Sequence, residues 1–243
     1  MIDIKLISHL PAFVIAEDLN RRIETASAVV LTAPPGAGKS TVLPLTMLQA
    51  LPDGEGKIVM LEPRRIAARQ IAERMASLLG EQVGETVGYR IRFESRTSRR
   101  TRIEVVTEGI LTRMLVADPG LESVAILVFD EFHERSLQTD LALALAREAQ
   151  CILRPDLRLV LMSATIDATG ICAALGAEAV SCEGKMYPVE VRHEGDVTPE
   201  NIVEATVKMI RTAHKEHEGD ILAFLPGEGE IRRCVEALSK SLG

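Results

Sequence analysis

Short runs of β-branched and aliphatic residues alternate along most of the chain with longer stretches in which apolar residues recur every three or four positions. The runs are SAVVLTA from 27, KIVMLE from 57, RIEVVT from 102, VAILVFD from 124 and LRLVLMSA from 157. Between them, IAARQIAERMASLLG at 66–80 and LQTDLALALAREAQCIL at 137–153 have helical spacing. This order of strand, helix, strand is that of a parallel sheet with helices on both faces. Strands buried on both sides need no polar alternate residue, so near-continuous apolar runs suit that position. The pattern predicts an α/β fold.

Near residue 184 the pattern resets. YPVEV and DILAFLP read as strands, NIVEATVKMIRTAHKE and GEIRRCVEALSKSL as helices, again in alternation. The sequence stops at Gly243 after about two such units, fewer than an independent α/β layer requires. The expected organisation is a complete domain over 1–184 and the amino-terminal part of a second, truncated one over 185–243.

A composition that is 47% hydrophobic and 26% charged over 243 residues is that of a soluble, core-forming protein. The longest apolar runs fall far short of the ~20 residues that span a bilayer, and the amino terminus lacks the pattern of a cleaved secretion signal. No membrane role is expected. The four cysteines form no C-x-x-C pair, so neither a zinc site nor a disulfide framework is indicated, and a reduced cytoplasm is the simplest setting. A net charge of −7 argues against coating nucleic acid by bulk electrostatics. The sign reverses locally in YRIRFESRTSRRTR, 89–102, with six arginines against one glutamate. A solvated basic loop and a phosphate-contacting surface are both open for that segment.

The candidate chemistry begins with LTAPPGAGKSTVLPL, 31–45, which follows a predicted strand and opens a helix. Ala33-x-x-x-x-Gly38-Lys39-Ser40 is the phosphate-loop pattern with alanine in place of the first glycine. Gly36 and Gly38 let backbone N–H groups turn inward around anionic oxygens, the helix amino terminus adds its positive end, and Lys39 reaches the terminal phosphates. Ser40 carries the hydroxyl expected on Mg²⁺, and Thr41 can meet a more distal phosphate oxygen.

LVFDEFHERS, 127–136, ends an apolar run with Asp130, Glu131 and His133 close together. A metal-ligand set, a magnesium anchor with its general base, or a plain helix start would each produce such a cluster. The phosphate loop favours the second, because a nucleoside triphosphate site needs a second strand ending in an acid that holds hydrated Mg²⁺. Asp130 fills that role, Glu131 is the candidate to orient and deprotonate the attacking water, and His133 becomes a relay. Zinc would need further ligands that the sequence does not offer.

Taken in order, APPGAGKST, LEPRRIAARQIAERMA, VVTEGILTRML, VFDEFHERS, LMSATID and ILAFLPGEGEI resemble superfamily 2 DExH/DEAH-box RNA helicases. Six ordered blocks over nearly the whole chain are specific where any one alone would not be. Phenylalanine in DEFH, where DEAH has alanine, is similar to a bacterial branch of that family. The resemblance implies a RecA-like P-loop NTPase fold that binds and hydrolyses ATP with Mg²⁺ through Lys39, Ser40, Asp130 and Glu131. It implies a nucleotide cradle of Ala33, Pro34, Pro35, Gly36, Ala37, Gly38, Lys39, Ser40 and Thr41, with Arg74 at a position that stacks on adenine. Read alone, Arg74 is a plain helix-surface arginine.

The resemblance also implies that Arg64, Arg65, Thr107 and Glu108 line a nucleic-acid groove, Arg64 and Thr107 being the phosphate contacts; read alone, Arg64 and Arg65 would equally well cap the carboxyl side of the sheet. Ser163, Ala164 and Thr165 would link hydrolysis to nucleic-acid movement; without the resemblance, Ser-Ala-Thr after a strand is a helix cap. With five Phe, two Tyr and no Trp there is little material for a base-stacking platform, so backbone-directed binding of single-stranded RNA is expected, with DNA a second candidate. The family's second domain carries a QRxGRxGR-like segment, and this sequence has none. An arginine of that kind is worth roughly a thousandfold or more in rate. The expectation is an RNA-stimulated NTPase in the parent protein, completed by the remainder of the second helicase domain, and weak nucleotide binding with poor turnover in this chain alone. A P-loop switch that remodels proteins and a noncatalytic binding module are the competing readings.

Overall fold

The computed structural model describes residues 7–8, 10–51, 56–164, 168–182, 188–193 and 195–242. They fall into two compact units, Met1–Met186 and Tyr187–Gly243.

The first unit opens with the short helices α1 (Pro11–Val14) and α2 (Ala16–Thr25), then β1 (Ala28–Thr32), α3 (Lys39–Ala50), β2 (Lys57–Leu61) and α4 (Arg65–Leu79). Three strands follow, β3 (Val87–Ile91), β4 (Glu94–Arg96) and β5 (Ile103–Val106), then α5 (Glu108–Ala117) and β6 (Val124–Phe129). A 3-10 turn at Phe132–Glu134 leads into α6 (Leu137–Ile152), β7 (Arg158–Ser163), α7 (Ala168–Leu175) and β8 (Glu178–Ser181). The strands form one eight-stranded sheet in the order β4-β3-β5-β2-β6-β7-β1-β8. Every pairing is parallel except β3 with β4.

Side-chain alternation along each strand divides the core between the two faces. Val29, Leu31, Ile58, Met60, Ile126, Val128, Val160 and Met162 pack with α2, α3 and α4. Their neighbours Val30, Val59, Leu61, Leu127, Phe129, Leu159 and Leu161 pack with α5, α6 and α7 on the other side. The register pairs Thr32 with Ser163, Leu61 with Phe129 and with Val106, and Phe129 with Leu161. The carboxyl ends of β5, β2, β6, β7 and β1 therefore finish along one edge, where open parallel sheets bind ligands.

Two elements differ from the sequence expectation. The arginine-rich segment is loop only in part: 89–91 belong to the internal strand β3 and 94–96 form the edge strand β4 paired to it, while 92–93 and 97–102 are turn and loop. Tyr89 and Ile91 fill the core while Arg92, Arg96, Arg99 and Arg100 face solvent, so a period-two strand lies beneath the charge. The second unit contains α8 (Ile202–Glu216) and α9 (Glu228–Leu242), but neither YPVEV, as far as its described residues go, nor DILAFLP forms a strand. A strand is completed by a hydrogen-bonded neighbour, and among the described residues these segments have none. Their apolar side chains stand in solvent, Leu222 at 80% and Phe224 at 87% exposure.

Candidate nucleotide site and its flanking groove

Each predicted site block lies where a strand of the first unit runs out. After β1 the chain turns through Pro34–Gly38 into α3, with Gly36 at φ 75° and Gly38 at φ 91°, a region costly for side-chain-bearing residues. Gly38 is also crowded, since a Cβ there would lie 3.1 Å from Leu10 Cδ1 and 3.2 Å from Val42 Cγ2. The loop is fastened from both sides: Ala33 N donates to Ser163 O at 3.0 Å, and Ala12 N of α1 donates to Ala37 O at 2.9 Å. Ala33 is fully buried and its φ is not positive, so this position takes a methyl group without the backbone cost that one would incur at Gly36 or Gly38.

Lys39, in the first turn of α3, is buried and donates to Glu131 Oε1 at 2.7 Å. Asp130 directly follows β6 and is 1% exposed. Its Oδ1 accepts from Glu131 N at 2.9 Å, while Oδ2, also buried, has no hydrogen-bond partner. Burial pushes the Asp130 carboxyl up to about 6, against the pull of the Ser40 hydroxyl and the Lys39 ammonium. A buried carboxylate oxygen without a partner, facing a serine hydroxyl at the first turn of a phosphate-loop helix, fits a hard cation held by oxygen ligands.

Glu131 sits in the left-handed region at φ 50° and ψ 35°, as the residue before the 3-10 turn. His133 Nδ1 lies 3.4 Å from Glu131 Oε2 and accepts from Ala164 N at 3.4 Å. Ser163 and Ala164 thereby touch both halves of the site, the phosphate loop through Ala33 and the acidic loop through His133. Thr165 lies outside the described residues. Phe132 points into the core and meets Phe129 edge to face, ring centroids 6.5 Å apart.

The predicted nucleic-acid residues line the continuation of the same edge. Arg64 and Arg65, both exposed, stand just before and at the start of α4, and Thr107, which is buried, and Glu108 stand likewise at α5. Glu108 is already engaged: its Oε1 accepts from Ser136 Oγ and, at 2.9 Å, from Thr139 Oγ1, the residues that cap α6. Arg74 is exposed on α4 without a hydrogen bond or ion pair among the described residues.

The sequence reading missed Glu62, Glu134 and Ser136. Glu62 is completely buried at the end of β2, with Oε1 accepting from Arg64 N at 3.0 Å and Arg64 Nε at 3.2 Å. Burial drives its carboxyl up to about 7, the Arg64 backbone N–H opposes this, and the charge of Asp130 adds to it. The available signal was an acid after a buried apolar run, the same signal that singled out Asp130.

A phosphate loop after β1, a buried acid after β6, one strand removed across β7, and a carboxylate beside them define a P-loop nucleotide site in an α/β domain. The profile of the DEAD/DEAH box helicase family matches residues 15–171, and the chain belongs to that family. It is 47% identical to the ATP-dependent RNA helicase HrpB of Escherichia coli (strain K12) over 97% of this chain and 29% of that protein. It is 36% identical to the probable ATP-dependent RNA helicase DHR2 of Saccharomyces cerevisiae over 98% of this chain and 33% of that protein. For the human probable ATP-dependent RNA helicase DHX35 the values are 35%, 94% and 34%. A crystal structure of the Escherichia coli DEAH/RHA helicase HrpB superposes with a TM-score of 0.89 at 46% identity, over 96% of this chain and 30% of that one. The chain thus spans about a third or less of each of these relatives.

Proposed function

We propose that this chain is the nucleotide-binding part of an ATP-dependent RNA helicase, in which hydrolysis of Mg-ATP is coupled to backbone-directed binding of single-stranded RNA. The observation that carries the reading is the convergence of Lys39, Asp130, Glu131 and His133 on one strand edge, continuous with Arg64 and Thr107.

The residues have separate tasks. Backbone N–H groups of 36–41 and the Lys39 ammonium bind the phosphates, and Thr41 extends the cradle. Ser40 and Asp130 would hold Mg²⁺, which neutralises charge developing on the phosphates. Glu131 takes the proton of the attacking water, His133 beside it is the relay to Ala164, and Arg74 covers the base. Arg64, Arg65 and Thr107 hold the polynucleotide backbone, which positions a strand without reading its sequence. Ser163 and Ala164, bonded to both loops, transmit the change.

Residues 185–243 belong, in this reading, to a second RecA-like domain, and the rest of that domain supplies the arginines that reach the γ-phosphate. The relatives' greater length supports this. Among the described residues no helix is long and apolar enough to cross a membrane. A cytoplasmic setting rests on cysteine usage in the sequence.

The test is steady-state ATP hydrolysis by the full-length protein without polymer, with single-stranded RNA and with single-stranded DNA, using Glu131→Gln as the blank. Strong stimulation by RNA that disappears in the blank is expected. Hydrolysis indifferent to both polymers would exclude the helicase reading and favour a P-loop switch acting on protein.

A further inference from the structure

The loop between β6 and α6 is held from both sides by residues of different duty. On the nucleotide side, Glu131 is fixed by Lys39 at 2.7 Å. On the groove side, Glu134 Oε1 lies 3.6 Å from Arg64 Nε, the nitrogen that also donates to Glu62 at 3.2 Å. Glu131 and Glu134 stand at either end of one 3-10 turn, so the pull on one reaches the other through three peptide bonds.

The backbone of this loop is bracketed by strain. Glu131 at φ 50° and Arg135 at φ 41° are both non-glycine residues with positive φ. Such conformations persist where the surroundings over-determine them. Here the determinants are the ion pairs of Glu131 with Lys39 and of Glu134 with Arg64, the two-bond pairing of Arg135 with Asp140, the Ala164 N–H on His133 Nδ1, the burial of Phe132 and the anchoring of the following helix. Ser136 caps α6 by accepting from Thr139 N at 3.0 Å and donates its hydroxyl hydrogen to Glu108. With Arg135 tied to Asp140 of α6, a displacement of the loop would fall on 131–134, with Phe132 in the core as the fixed point.

We propose that Glu134 is a positioning residue that ties the hydrolysis loop to the occupancy of Arg64. In the polymer-free state Arg64 is shared between Glu62 and Glu134, and Glu131 rests on the phosphate-loop lysine. A polynucleotide phosphate at Arg64, which is 58% exposed at its side chain, competes for the guanidinium. Of the two carboxylates, Glu62 is buried and bonded to the Arg64 backbone, so Glu134, at 41% exposure and the longer distance, is the one released. With the groove-side tether gone, the turn rotates about Phe132 and Glu131 leaves Lys39, freeing lysine for phosphate and carboxylate for water. This inference rests on the reading of Arg64 as a polynucleotide contact.

The test uses Glu134→Gln, which keeps size and removes charge, in the full-length protein. ATP turnover with and without single-stranded oligouridylate is measured beside RNA affinity by fluorescence anisotropy. The expected result is a polymer-free rate raised toward the stimulated one, so that the ratio of stimulated to basal turnover falls at least about fivefold, the lower end of ordinary coupling between sites. RNA affinity is kept or rises, because Arg64 loses a competing carboxylate, and Glu134→Asp, which keeps the charge, recovers part of the ratio. A merely structural role would lower both rates together and leave the ratio intact. An unchanged ratio in Glu134→Gln with RNA binding retained overturns this inference alone. A wild type that RNA does not stimulate overturns the nucleic-acid reading and this inference with it.

Discussion

Lys39 Nζ donates to Glu131 Oε1 across 2.7 Å, so the cation provided for a terminal phosphate is neutralised by the carboxylate assigned to the attacking water. Both side chains are largely buried, at 6% and 16% exposure. Removing one partner therefore leaves a charge without compensation, which a phosphate can then satisfy.

Glu131→Gln follows directly. Nucleotide affinity should be kept or rise, because Lys39 loses its carboxylate competitor. Turnover should fall by about 10²–10⁴-fold, the usual contribution of a positioned general base. Fluorescent-nucleotide titration alongside single-turnover hydrolysis separates the two effects. A parallel loss of binding and turnover would show that Glu131 holds the site together and does not act on water.

The buried acids make stability fall as pH rises. Asp130 is raised from 3.8 to about 6 and Glu62 from 4.5 to about 7, in both cases chiefly by burial. A raised folded-state value means that the folded protein holds the proton more tightly than the unfolded chain. The associated stability is fully present below the unfolded values and is lost as pH climbs through about 6 for Asp130 and about 7 for Glu62. For Asp130 the ceiling is roughly 3 kcal/mol. Thermal unfolding of the nucleotide-free protein should therefore show Asp130→Asn gaining on the wild type between pH 4 and 8. Mg-dependent nucleotide affinity should run the other way, weakening as pH drops below about 6, because a cation needs the carboxylate.

Gly38→Ala tests the loop itself. The new Cβ meets Leu10 Cδ1 at 3.1 Å and sits on a backbone at φ 91°. Strain of this kind costs on the order of 1–3 kcal/mol. Thermal midpoint and nucleotide affinity should both fall. Gly36→Ala, where nothing stands within 4 Å of the added atom, should lose less stability and comparable affinity.

Burial on both faces made the central strands legible, because β1, β2, β5, β6 and β7 are nearly unbroken apolar runs. The edge was harder to read. In β8 Val180 alone of Glu178–Ser181 is buried, and β4 is three residues of a basic hairpin, so neither offers an apolar run. The phosphate loop and Asp130 were readable because local spacing encodes them. Glu62 and Glu134 were not, since their significance comes from Arg64, which lies two residues from one and seventy from the other. Phe132 is a different case. In sequence it marks a branch of the family; in the fold it is the core contact that pins the turn carrying Glu131.

The second unit offers the last prediction. Its helices α8 and α9 are amphipathic and pack on each other, with Val207 and Cys234 buried and Cys234 Sγ donating to Val203 O at 3.8 Å. The predicted strand DILAFLP has no regular secondary structure and is exposed, with Phe224 at 87%. A parallel strand gains its hydrogen bonds from neighbours in the same sheet, and the proposed second domain would provide them. Hydrogen exchange should therefore show amides of 220–225 exchanging nearly as fast as in an unfolded peptide in the 243-residue chain, while α8 and α9 are slower. In the full-length protein the same amides should become protected. Protection already present in the 243-residue chain would mean that this unit folds without further strands, and the assignment of residues 185–243 to a larger domain would fall.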